Sequence, residues 1–264
     1  MVSRPFALML LAGLGSAWAV AQPAGNALLD TPRQLTSPAT TPPTIPVTNE
    51  MRGDIFMARK QYREAIETYA QGGSKNAILR NKMGIAYHQM MDLDRARKCY
   101  EESLKIKPDY FEAMNNLGTV YYAKKSYRRA ISWYNRALRV DGDTPRAASV
   151  YMNRGTAWFS RKQYPKAMED YQTAVHLEPD IFEHHGTFGQ ILEERSVEER
   201  AKYHFFLAKL YAKQGRNELA IQNLRKALEE GFKEKKKLEE EPDFAGLKDL
   251  PDFKTLLAKE PRVL

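Results

Sequence analysis

A single cysteine, Cys99, stands among the 264 residues. One thiol forms no internal disulfide, so the chain is held by packing, and Cys99 reads as a small buried hydrophobe. Paired cysteines for zinc, a glycine-rich phosphate loop and a Gly-x-Ser-x-Gly elbow are all missing. Histidine is scarce, with five in all. The adjacent His184 and His185 point about 100° apart on a helix, whereas two ligands on one face need a spacing of three or four. These absences leave no catalytic residue set, so the expectation is a protein that is not an enzyme and uses no cofactor or metal.

Long apolar runs are also few. The one that exists, Phe6 to Val20, is shorter than the roughly 20 residues of a membrane span and is preceded by Arg4. It ends at the small-residue site Ala19-Val20-Ala21, the order of parts of a secretory signal peptide over 1–21. The expected location is therefore exported, periplasmic or secreted, with an uncleaved N-terminal membrane anchor as the alternative. The sole cysteine lies far from this site, which removes a lipoprotein anchor. Residues 22–48 hold Pro23, Pro32, Pro38, Pro42, Pro43 and Pro46 among Ala, Thr and Ser, and read as a disordered linker.

What the remainder does contain is an internal repeat. A Gly followed three residues later by an aromatic recurs at Gly53/Phe56, Gly84/Tyr87, Gly118/Tyr121 and Gly155/Trp158. Twelve residues after each Gly comes Ala65, Ala96, Ala130 or Ala167, and four residues later Tyr69, Tyr100, Tyr134 or Tyr171. A fifth unit keeps the spacing with Ala208, Tyr211, Ala220 and Leu224. Two antiparallel helices approach closely only where side chains are small, and rings fill the space alongside. Short polar turns such as Lys124-Lys125-Ser126 separate the two halves, so each unit reads as helix, turn, helix.

These units resemble tetratricopeptide repeats, whose pattern is W-x₂-L-G-x₂-Y, then A-x₃-F, then P. The resemblance is fullest in Leu117-Gly118-Thr119-Val120-Tyr121 with Ala130 and Tyr134, while the opening Trp is replaced throughout. It implies an all-α fold, a right-handed α-solenoid of about five hairpins. Units one to four fall at 49–180, an inserted helix or loop at 181–200, and unit five at 201–232. A segment over 233–264 carrying Phe244, Leu247, Leu250, Phe253 and Leu256 closes the end of the stack.

The resemblance also implies a protein–protein interaction scaffold whose first helices line a groove for a protein or peptide partner. The groove residues expected are Asn81, Ile85 and His88, then Asn115, Asn116, Thr119 and Tyr122, then Asn153, Thr156 and Phe159. Asn116 and Asn153 hold one register position, two residues before the signature Gly. In the related superhelical repeats of O-linked N-acetylglucosamine transferases, Asn at that position grips an extended peptide backbone. The carboxylate clamp of chaperone adaptors fits poorly, because Thr119 and Phe206 stand where it wants Asn and a basic residue.

The net charge of +8 places Lys125, Arg129, Arg136 and Arg139 near one face of a helix. Peripheral contact with an anionic envelope surface is the partner reading of that stripe, and no nucleic-acid motif accompanies it. Two rival functions follow: an assembly factor for an envelope machine such as a pilus or secretion system, and a small-molecule or metal-dependent site in the 181–200 insert.

Overall fold

The structure, a computed structural model, describes residues 46–184, 196–233 and 235–258. The expected signal peptide, nearly all of the linker, and 185–195 of the insert lie outside the described residues. Eight helices make four hairpins: α1 (Asn49–Ala58) with α2 (Tyr62–Gln71), α3 (Ala77–Gln89) with α4 (Leu93–Ile106), α5 (Phe111–Ala123) with α6 (Tyr127–Val140), and α7 (Ala148–Ser160) with α8 (Tyr164–Leu177). A short α9 (Ile181–His184) follows. The fifth hairpin is α10 (Val197–Lys213) with α11 (Asn217–Glu229), and α12 (Lys235–Glu240), a 3₁₀ turn and α13 (Pro251–Ala258) complete the described residues. The fold is all-α; no strand occurs among the described residues.

The repeat register has a steric cause. A Cβ added at Gly53, Gly84, Gly118 or Gly155 would lie 2.2, 2.4, 2.3 or 2.7 Å from the ring of Tyr69, Tyr100, Tyr134 or Tyr171. Each of those rings is at most 1% exposed. The first helix therefore lends bare backbone as a floor, and the second lays a tyrosine on it. Ala65, Ala96, Ala130 and Ala167, no more than 1% exposed, allow the two helices that approach. In the fifth hairpin Ala208 supplies a Cβ and Leu224 replaces the ring, both fully buried, so the two changes compensate.

Every hairpin turns in the same way. The residue seven positions after the signature Gly or Ala has positive φ: Lys60 (59°), Met91 (61°), Lys125 (56°), Lys162 (58°) and Gly215 (71°). The following N–H reaches back to the carbonyl of the aromatic that follows the Gly or Ala by three, as in Ser126 N–H to Tyr121 O at 2.8 Å and Asp92 N–H to Tyr87 O at 2.9 Å. This is the Schellman closure, which satisfies the last carbonyls of a helix while reversing the chain.

Second helices pack on the first helix of the next hairpin, α2 on α3, α4 on α5 and α6 on α7, while first helices also meet one another, α3 with α5 and α5 with α7. Up-and-down order puts the intra-hairpin turns of the first four units along one edge. Lys124 bonds Asp94 between hairpins two and three there, and the Tyr122 and Ser160 hydroxyls meet at 3.1 Å between hairpins three and four.

The fifth hairpin runs the other way. Its turn residue Arg216 bonds the Pro179 carbonyl (2.7 Å), Asp180 (2.8 Å) and Glu183 (2.7 Å), all on the opposite edge. The early part of α10 meets the turn edge of hairpin four, with Tyr203 and Phe206 at 5.7 and 6.0 Å from the Phe159 ring. α10 and α11 therefore run opposite to the first and second helices before them. The spacing of unit five is that of a repeat, but its orientation in the stack is inverted.

Beyond α11, Leu238, Phe244, Leu247, Phe253 and Leu256 are buried in the same cluster as α10 and α11 and close that end. Cys99 is buried, and burial pushes its thiol up to about 11, which suits an inert core residue.

Candidate partner-binding face

The first helices α1, α3, α5 and α7 share a face on which consecutive hairpins are tied by a ladder of side chains. Asn116 donates through Nδ2 to Asn81 Oδ1 at 3.0 Å, and Asn153 donates likewise to Asn115 Oδ1 at 3.2 Å. In register terms, the residue two before the Gly of one hairpin reaches the residue three before the Gly of the previous one. The same step between hairpins one and two is ionic: Lys82 Nζ lies 2.8 Å from Glu50 Oε1 and 2.6 Å from Asp54 Oδ2. Burial pulls the Lys82 pKa down, but hydrogen bonds to the two carboxylates outweigh it and hold the ammonium above its ordinary value. Lys82 was not among the residues expected here. Its register position, two before Gly84, was the available signal, and it bonds as an ammonium where the next two rungs use amides.

Between hairpins four and five the ladder changes to rings. Phe206 is stacked on Tyr164 at 5.3 Å and set edge-on to Phe159 at 6.0 Å. The reversed direction of α10 brings Tyr203 and Phe206 against Phe159 of α7 and covers that part of the face.

The structure therefore divides the expected groove residues. Ile85, His88, Asn115, Asn116, Thr119, Tyr122 and Asn153 are half-buried on the first helices. Asn81, Thr156 and Phe159 are buried, only 4%, 3% and 2% exposed. Asn81 is the covered acceptor of a rung, and Phe159 is covered by Tyr164, Tyr203 and Phe206. The Thr156 hydroxyl bonds the Met152 carbonyl (2.8 Å) and meets the Tyr171 hydroxyl (3.2 Å). Thr119 has a related task, lying 3.5 Å from the Tyr134 hydroxyl and donating to the Asn115 carbonyl at 3.2 Å. Burial lowers the pKa of His88, so its imidazole is neutral at neutral pH.

Among the described residues no group of three or more His, Cys, Asp or Glu is placed to hold a metal ion. His185 and the side chain of His184 lie outside the described residues, so the reading of a site in the insert stays with the sequence.

Profiles described as tetratricopeptide repeat match residues 74–143, 148–181 and 201–230, just over half of the chain. The chain belongs to the tetratricopeptide repeat family. The first hairpin precedes these matches, yet its Gly53–Tyr69 contact has the same geometry as the other tetratricopeptide hairpins. Among curated proteins, it is 36% identical over 62 residues to a Pyropia yezoensis protein titled uncharacterized protein ycf37, covering 24% of this chain and 35% of that one. It is 28% identical over 96 residues to the chloroplastic tetratricopeptide repeat domain-containing protein PYG7 of Arabidopsis thaliana, covering 34% of this chain and 32% of that one. The chain thus spans about a third of the length of the curated relatives it matches. Among solved structures it is similar to MamA from Desulfovibrio magneticus RS-1, with 21% identity, 70% of this chain and 94% of that one covered, and a TM-score of 0.47.

The ladder also makes a stability prediction. Asn116→Ala leaves the buried Oδ1 of Asn81 without its donor and should destabilise the stack by about 1–3 kcal/mol. Urea unfolding followed by circular dichroism reads this directly. An unchanged midpoint would mean that the amide rung is not a structural tie.

Proposed function

We propose that this tetratricopeptide protein is a non-enzymatic scaffold that holds an extended segment of a partner protein on the first-helix face of hairpins two to four. One observation carries the reading. Asn116 and Asn153 each use one N–H on a rung, and each keeps a second N–H and an Oδ1 with no partner among the described residues. A side-chain amide with one donor and one acceptor left over matches a peptide group of any sequence. Ile85, His88 and Tyr122 beside them add half-buried apolar and ring surface, the usual mixture of a peptide groove.

A photo-crosslinking residue placed at His88 or at Tyr122 should capture a partner protein in cells. The same residue at the exposed Arg136 on α6 should capture little. Capture from Arg136 alone would refute a first-helix groove.

The reading includes export, supported by the order of Arg4, the run Phe6–Val20 and Ala19-Val20-Ala21. No described helix is long and apolar enough to cross a membrane. N-terminal sequencing of protein recovered from outside the cytoplasm should begin at Gln22. Recovery solely from the cytoplasm with Met1 retained would overturn export and leave the groove reading standing.

A further inference from the structure

The edge that gathers the turns of the first four hairpins is basic in a way the groove does not use. Arg59 and Lys60 stand on the first turn, Lys125 and Arg129 on the third, Lys162 and Lys166 on the fourth, all exposed and none in an ion pair among the described residues. The connecting loops of the opposite edge are mixed, with Asp109, Asp141, Asp143 and Asp180 beside Lys75 and Lys107, and Asp141 and Asp180 are paired with Arg146 and Arg216. Rings lie just behind the cations: Arg129 sits 5.8 Å from the Tyr121 ring, and Lys166 and Arg161 sit 4.6 and 5.4 Å from Trp158.

The second turn breaks the basic pattern, and its two acids, Asp92 and Asp94, are paired with Arg95 and Lys124. Where the other hairpins of this edge carry Lys at positive φ, it carries Met91, which is 70% exposed, the most exposed of the large hydrophobic side chains described. A non-glycine residue in that conformation is strained, and an apolar tip in water gains nothing by it. Packing within the fold does not account for its position.

We propose that this turn edge docks on an anionic lipid bilayer, with the cations at the headgroups, Met91 in the interfacial layer, and Tyr121 and Trp158 at headgroup depth. The cations are spread over three of the four hairpins and do not converge on a pocket, which suits an extended charged plane better than a single acidic peptide. An apolar tip on the same edge as unpaired cations and amphipathic rings is the composition of an interfacial contact. Docked so, the scaffold keeps its first-helix face away from the lipid.

The test is vesicle co-sedimentation of the full chain. Phosphatidylglycerol–phosphatidylcholine vesicles should bind it about tenfold or more tightly than phosphatidylcholine alone, with the difference closing in high salt. Lys125→Glu, Arg129→Glu, Lys162→Glu and Lys166→Glu together should abolish that preference while helicity is retained. Met91→Gly should raise the unfolding midpoint, because glycine accepts the positive φ, yet bind anionic vesicles several-fold less; a better-folded variant that binds worse separates docking from stability. Equal binding to neutral vesicles would assign adsorption to the apolar N-terminal run and overturn the proposal. So would an unaltered charge-reversed variant, or vesicle binding indifferent to Met91 but displaced by poly-glutamate, which would name an acidic protein as the occupant.

Discussion

Gly118→Ala should lower the stability of the stack by about 3 kcal/mol, a large effect for one methyl group. The new Cβ would stand 2.3 Å from Cε1 of Tyr134, and the tyrosine is 1% exposed, so the ring has no solvent to move into. Either the hairpin opens or the ring leaves its rotamer. In a domain of this size the thermal midpoint should fall by about 5–10 °C. Tyr134→Leu alone should also destabilise, through lost ring packing and the cavity left behind. The double variant Gly118→Ala with Tyr134→Leu should be more stable than Gly118→Ala alone, because the fifth hairpin already uses the pair Ala208 and Leu224, both fully buried. A double-mutant cycle with no coupling would refute the ring-on-glycine account of the repeat.

The second large effect concerns Arg154 and Asp170. The guanidinium Nε and Nη2 meet the two carboxylate oxygens at 2.9 and 2.6 Å, and Nη1 donates to Asn135 at 2.7 Å. The Asp170 side chain is 5% exposed and that of Arg154 is 21% exposed. Removing one partner strands a charge, so Asp170→Ala should destabilise by about 2–4 kcal/mol, the partial exposure of Arg154 softening the loss. Arg154→Met with Asp170→Cys copies Met83 and Cys99, which hold the same two register positions in hairpin two, and should restore stability to the original value or above it.

Burial raises the Asp170 pKa by more than Arg154 lowers it, so the acid sits above its ordinary 3.8. The folded state then holds that proton more tightly than the unfolded chain does. The contribution of Asp170 to stability is accordingly greatest at low pH and declines as pH rises from 3.8 through the raised folded value. Urea midpoints across that range should show the decline in the parent relative to the double variant. A parent that gains stability over the double variant as pH rises would reverse the sign and sink this account.

Much of the fold is legible in the chain because its causes are local. Gly118, Ala130 and Tyr134 lie within one hairpin, and their spacing is imposed by two helices and a three-residue turn. The apolar set from Phe244 to Leu256 has one way to be buried, on the end of the stack. The candidate face was less legible. Asn116 and Asn153 share a register that the sequence displays, but whether an amide there faces a ligand or a neighbouring hairpin depends on an acceptor 35 or 38 residues away. Lys82 shares that register position without being Asn, and the rung requires only a donor of sufficient reach. Phe159 reads as a groove residue on a co-oriented stack, and it is covered by Tyr203 and Phe206 because the next hairpin is not co-oriented.

By itself the sequence determined the hairpin: small residues where backbones meet, a tyrosine to fill the space, and a turn at fixed distance. The tertiary structure decided how hairpins face one another. Repeat spacing is indifferent to direction, since a hairpin packs its own two helices identically in either orientation. The fifth unit runs opposite to the first four. That reversal turns Phe206 onto Phe159 and Tyr164, ends the polar ladder at Asn153, and confines the open face to the hairpins before it.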